Sequence, residues 1–165
     1  MIPLGILLGD DLRKDGVDVT VQELYDYTEK TGILPKTSAI SEYEYMERWK
    51  PYIEQGFSVI HFNISSAISA CHQNARIAAE ELGGVYPIDT LTLSSGSGML
   101  ALSAYELAEQ GLDAPAIVAE IEKLRSRVDA SFVLQTLEYL QKGGRCSSVL
   151  AFGANLLKLR PEIVL

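Results

Sequence analysis

Apolar residues in this chain of 165 residues fall in short blocks that alternate between strand-like runs and helical spacing. The run at residues 2–8 is broken by Gly9-Asp10-Asp11, which predicts a strand entering a turn, and the chain re-extends through residues 14–18. Thr20 with Glu23 has the spacing of a capping box ahead of Leu24, Tyr25 and Tyr27, predicting a helix that stops near Gly32 and Pro35. A loop is expected over residues 35–40. Ser41 with Glu44 is a second capping box, and Tyr45, Met46, Trp49, Tyr52 and Ile53 follow at helical spacing. With Tyr43, these aromatics read as the core and surface faces of one amphipathic helix.

Residues 57–62 predict a buried strand, and the helix expected after it carries Ile68, Cys71, Ala75, Ala78, Ala79 and Leu82 on one side, closing at Gly83-Gly84. Residues 85–89 form a further short strand in which Pro87 lacks a ladder donor, so an edge or a strand end is expected. Ser94-Ser95-Gly96-Ser97-Gly98 leads into a helix with Met99, Leu100, Leu102 and Leu107. Asp113 can cap the next helix, with Ile117, Val118, Ile121 and Leu124 facing inward. A strand at residues 131–135, a segment at 137–140 and the break Gly143-Gly144 complete the order. Regular alternation of strand and helix indicates an α/β fold with a mainly parallel sheet flanked by helices.

Composition narrows the class. A chain 47% apolar can bury a core of its own, and its formal net charge of −8 argues against general affinity for nucleic acid or anionic membrane. Cys71 and Cys146 fit no CxxC spacing and no metal-ligand pattern, so both read as reduced thiols in a cytoplasmic protein. No stretch has the pattern of a secretory signal or of a membrane span. No cofactor is expected.

The candidate chemistry lies in the run from Ile64 to Ala75, which holds Ser65, Ser66 and Ser69 where an apolar strand hands over to a helix. Hydroxyls and the free N–H groups of a helix N-terminus there share one place to point, an anion cradle without a cation. Ser95 to Gly98 lacks the lysine of a P-loop and the spacing of a dinucleotide fingerprint, so close backbone packing is its expected role. Taken alone, serines at helix starts are most often N-caps, Thr37 and Ser38 are ordinary loop hydroxyls, and Lys142-Gly143-Gly144-Arg145 is a basic helix C-terminus.

Several separated segments, in order, resemble the DegV proteins, a family that binds fatty acids. They are residues 13–19, Pro35-Lys36-Thr37-Ser38, Ile64-Ser65-Ser66-Ala67-Ile68-Ser69, Ile88-Asp89-Thr90 with Ser95-Gly96-Ser97-Gly98, and residues 129–145. The resemblance covers almost the whole chain and implies a DegV N-terminal-domain-like α/β lipid-binding domain over residues 1–160, with 161–165 beginning a second domain. Family members open with a strand and a Thr-Asp-Ser type loop that would lie before Met1, and carry Gly-Thr where this chain has Ala70-Cys71.

In that family a long-chain fatty acid lies in a tunnel between two domains, its carboxylate held by a Thr and a Ser hydroxyl plus backbone N–H. The resemblance assigns those roles to Thr37 and Ser66, with the N–H of Ala67 as third donor and Ser38, Ser65, Ser69, Ser95 and Gly96 around the head group. It also implies a fatty acid kinase as partner, met through Arg145. The chain would then be a binder that presents the carboxylate, not a catalyst, and an open half-pocket invites a homodimer. Two rival readings are a serine hydrolase, using Ser66 or Ser69 with His61 or His72 and Asp89, and a paralogue that has lost its ligand. The missing GxSxG elbow counts against the hydrolase.

Overall fold

The computed structural model describes residues 1–144, 160 and 162–164, which divide into two compact units. The first comprises Pro3–Ser38 and Ser131–Val164, and the second Ala39–Ala130.

The first unit holds a three-stranded antiparallel sheet in the order β2-β1-β3, built from β1 (Gly5–Leu8), β2 (Asp11–Lys14) and β3 (Lys36–Ser38). Between β2 and β3 runs α1 (Val21–Thr31), entered through the expected capping box: Glu23 N–H donates to Thr20 Oγ1, and the Glu23 carboxylate accepts from Thr20 N–H at 2.7 Å. Gly32 ends the helix in the left-handed conformation, φ 70°. The predicted loop at 35–40 is in part a strand. Lys36, Thr37 and Ser38 pair with Leu7, Ile6 and Gly5, and Gly5 permits the approach because a Cβ there would lie 3.1 Å from that of Ser38. The remainder of the unit is β6 (Ser131–Val133), α6 (Glu138–Lys142) and β7 (Glu162–Val164), with β6 and β7 antiparallel.

In the second unit β4 (Val59–Asn63) and β5 (Val85–Asp89) are parallel and joined through α3 (Cys71–Leu82). Among the described strands this is the one parallel pair; the other two sheets are antiparallel, and a lone parallel bridge joins Asp15 and Val19. Both faces are covered, as a parallel sheet requires. Ile60, Phe62 and Ile88 pack against Leu100 and Ala104 of α4 (Ser95–Glu109) and Ile117 and Ile121 of α5 (Ala114–Arg125). On the other face His61 meets Tyr45 and Trp49 of α2 (Glu42–Ile53), each ring centroid 5.2 Å away, and α2 packs on α3. The amphipathic reading of α2 holds: Tyr45 and Trp49 are buried, while Tyr43 and Tyr52 are exposed. Ser41 with Glu44 and Asp113 cap their helices as expected.

One element starts later than its sequence suggests. Residues 64–70 form a turn, and Ile68 is exposed outside the helix, because local hydrogen bonds take the backbone groups that would begin one. Ser65 Oγ accepts from Ala67 N–H at 3.2 Å, and Ser69 Oγ accepts from Cys71 N–H at 3.2 Å, so α3 opens only at Cys71.

Candidate functional site

Because β4 and β5 are parallel, with Asn63 opposite Asp89, the loops that leave them start at one end of the pair. The crevice beyond the carboxyl ends of such strands is where open α/β sheets hold ligands. Here the two loops are cross-tied. Ser65 N–H donates to the Thr92 carbonyl at 2.8 Å, and Thr90 donates to the Asn63 carbonyl through both its N–H (3.2 Å) and its hydroxyl (2.8 Å). Thr90 and Ser97 hydroxyls lie 2.8 Å apart. Asn63 is itself held by donating to Tyr45 Oη at 2.8 Å.

On this frame Ser66 and Ala67 are exposed, Ser69 is half-buried and Ser65 is buried. The N–H of Ala67, expected as a ligand donor, is engaged by Ser65 Oγ. The Ser66 N–H donates to Asp89 Oδ1 at 3.1 Å. Ser95 is exposed in the first turn of α4, and neither Ser94 before α4 nor Ala70 before α3 supplies a side-chain cap. Gly96 is buried against its neighbours: a Cβ there would stand 2.5 Å from Thr92 Oγ1 and 3.2 Å from Ala130 Cβ. The close packing expected of the glycine-rich turn is therefore present, and in the segment leading to it Leu91 and Ser94 stand at positive φ, 55° and 51°.

Asp89 ties the loops together by electrostatics as well as geometry. Burial pushes its carboxyl up, but hydrogen bonding from the Ser66 side chain and from the N–H groups of Leu91 and Ser66 outweighs this and holds it below the usual range. Sequence reasoning had Asp89 as a triad orienter and, with Thr90, as part of a family-like segment without a stated role, and passed over Asn63 and Thr92. The one available signal was Asp-Thr directly after an apolar strand.

The residues of the hydrolase reading are not wired as a triad. Asp89 bonds Ser66 directly, and no hydrogen bond joins His72 to Ser66 or Ser69 among the described residues. His72 is lowered by burial, and its Nδ1 is buried without a partner. His61 sits in the aromatic cluster, where burial pushes it down to about 4. His72 and Asp89 line a separate polar cavity of about 400 Å³ with Arg76, Glu122 and Arg125.

The first unit carries a larger and more apolar cavity of about 560 Å³. Its wall includes Ile6, Leu24, Tyr25, Leu34 and Tyr139, and Thr37 stands in it, exposed, on β3. Ser38 beside it is half-buried and pairs with Gly5. Lys142 also lines the cavity and is paired with Glu138 at 2.6 Å. Arg145 and Cys146 lie outside the described residues. Cys71 is a buried free thiol, no group of metal-ligand type occurs among the described residues, and no helix there is long and apolar enough to cross a membrane.

Comparison with known proteins gives one consistent family. A DegV domain-containing protein of Deinococcus radiodurans is 32% identical over 164 residues, covering 99% of this chain and 58% of that protein. The structure of a DegV family protein from Thermus thermophilus, described by its fatty acid binding, superposes with a TM-score of 0.86 at 34% identity, covering 99% of this chain and 59% of that one. A stearic acid-binding protein from Eubacterium ventriosum superposes at 0.85 with 26% identity, covering 99% of this chain and 58% of that one. The chain thus spans under two thirds of the length of the relatives it matches. The family model described as "Uncharacterised protein, DegV family" matches residues 1–164, and the chain belongs to the DegV family.

Proposed function

We propose that this chain binds a long-chain fatty acid, with its acyl tail in the apolar cavity of the first unit and Thr37 as one hydroxyl donor to the carboxylate. The observation that carries the reading is the cavity itself, about 560 Å³, with apolar walls and a Thr hydroxyl among its lining groups. The family resemblance supplies Ser66 as the second hydroxyl; its exposure on a turn that other residues hold in place agrees with that role. At about 0.8 kcal/mol per buried CH₂, ten methylenes contribute on the order of 8 kcal/mol before ordering costs, so the tail supplies most of the affinity. Hydrogen bonds to the charged head group add roughly 1.5–3 kcal/mol each and fix its position.

In this reading the chain does no chemistry. It presents the carboxylate to a fatty acid kinase, and binding by neutral hydroxyls suits that task because an oxygen remains nucleophilic for the phosphoryl group. Native mass spectrometry with lipid extraction tests the binding step: one fatty acid per chain, retained on purification or taken up from added oleate, is expected. A folded, lipid-free chain that takes up no oleate refutes it. A Ser66→Ala chain that holds oleate as tightly as the parent removes Ser66 from the head-group site. Acyl phosphate formation that requires both this chain and a fatty acid kinase with ATP checks the second step.

A further inference from the structure

Ser66 sits on a turn, outside any helix or strand, and the group that holds it is on the other loop. Asp89 Oδ1 accepts from Ser66 N–H at 3.1 Å and from Leu91 N–H at 3.1 Å. Leu91 is thereby kept at φ 55°, a conformation that costs a β-substituted residue energy and persists only where its surroundings enforce it. The backbone of Asp89 is fixed in turn: it ends β5 opposite Asn63, and its carbonyl accepts from Arg125 Nη1 at 3.0 Å, with Arg125 paired to Glu122 at 2.7 Å. Asp89 as a residue is only 9% exposed.

We propose that Asp89 is the positioning residue of the head-group site, one carboxylate oxygen setting the orientation of Ser66 and the path of residues 90–92 together. This rests on the reading that Ser66 meets the fatty acid carboxylate. Asp89 acts by geometry through an acceptor oxygen; its negative charge contributes nothing favourable to binding an anion.

The test compares D89A and D89N in the full chain, by amide hydrogen exchange and by oleate affinity. Asn retains an oxygen that accepts both N–H groups, so D89N is expected to keep exchange at Ser66 and Leu91 and affinity within about threefold of the parent. D89A is expected to exchange those amides at least tenfold faster and to bind oleate about tenfold more weakly, the factor expected from about 1.4 kcal/mol. Parent-like exchange in D89A, or a loss in D89N equal to that in D89A, overturns the proposal. If D89A does not fold, D89N alone decides, since parent-like exchange supports the oxygen and fast exchange refutes it. Should S66A bind oleate like the parent while the exchange results hold, the head-group reading fails and the positioning of the loop stands.

Discussion

His61 offers a quantitative check on the packing of the second unit. It lies on β4 edge-on to the stacked rings of Tyr45 and Trp49, both centroids 5.2 Å away, in a site where desolvation pushes its pKa down to about 4. In the unfolded chain the same imidazole titrates near ~6.5. The folded protein therefore keeps His61 neutral while the unfolded chain takes up a proton as pH falls below that value. Stability from this group is complete above the unfolded pKa and is lost as pH falls from about 6.5 to about 4. At pH 5 the unfolded state is favoured by a factor of about 30, or about 2 kcal/mol, which corresponds to a fall in Tm of about 4–8 °C for a domain of this size. The assay is urea or thermal unfolding at pH 7.5 and pH 5 for the parent and His61→Phe, which keeps a ring in the cluster and removes the proton site. The variant should lose about 2 kcal/mol less than the parent between the two values. Equal losses in the two proteins would refute the reasoning, because the burial of a neutral imidazole would then not be the source of the pH dependence.

Tyr45→Phe deprives buried Asn63 of the acceptor for its Nδ2 and should cost about 1–3 kcal/mol in denaturant unfolding. Gly96→Ala drives a Cβ into Thr92 and Ala130 and is expected to destabilise by about 1–3 kcal/mol, measured the same way, and to disturb the Ser65–Thr92 tie as seen by exchange of the Ser65 amide. Thr20→Ala removes the hydroxyl that accepts from Glu23 N–H in the capping box of α1 and should cost about 1 kcal/mol in thermal unfolding. Leu24→Trp fills part of the cavity in the first unit, so uptake of oleate should fall while a short-chain acid is affected less, as read by calorimetry.

Local chemistry was legible where the chain carries its own signal. Two capping boxes, the Asp113 cap and the Gly32 stop each need only residues within one helical turn, and all are found in the structure. The helical faces of α2 and α5 were likewise readable, since the 3.6-residue period marks a buried stripe without reference to a partner, whereas in α4 Leu100 is buried but Met99 and Leu102 are exposed. β3 was not, because three residues, Lys36–Ser38, are too few to display a period and their pairing with β1 is decided 30 residues away in sequence. The start of α3 was misplaced for a related reason: Ser65 and Ser69 each satisfy a backbone N–H locally and delay the helix.

The sequence by itself determined the alternation of strand and helix, the acidic surface that disfavours polyanions, the hydroxyl-rich turn and the family to which these motifs belong. Only the tertiary structure decided that the chain divides into two units, the described strands of one antiparallel and those of the other parallel, that an apolar cavity adjoins Thr37, and that Asp89 holds Ser66 and Leu91. The physical reason is distance along the chain. Capping and periodicity act within a few residues and leave a mark in the sequence, whereas a cavity wall or a hydrogen bond between residues 66 and 89 exists only after the backbone has brought those groups within a few ångströms.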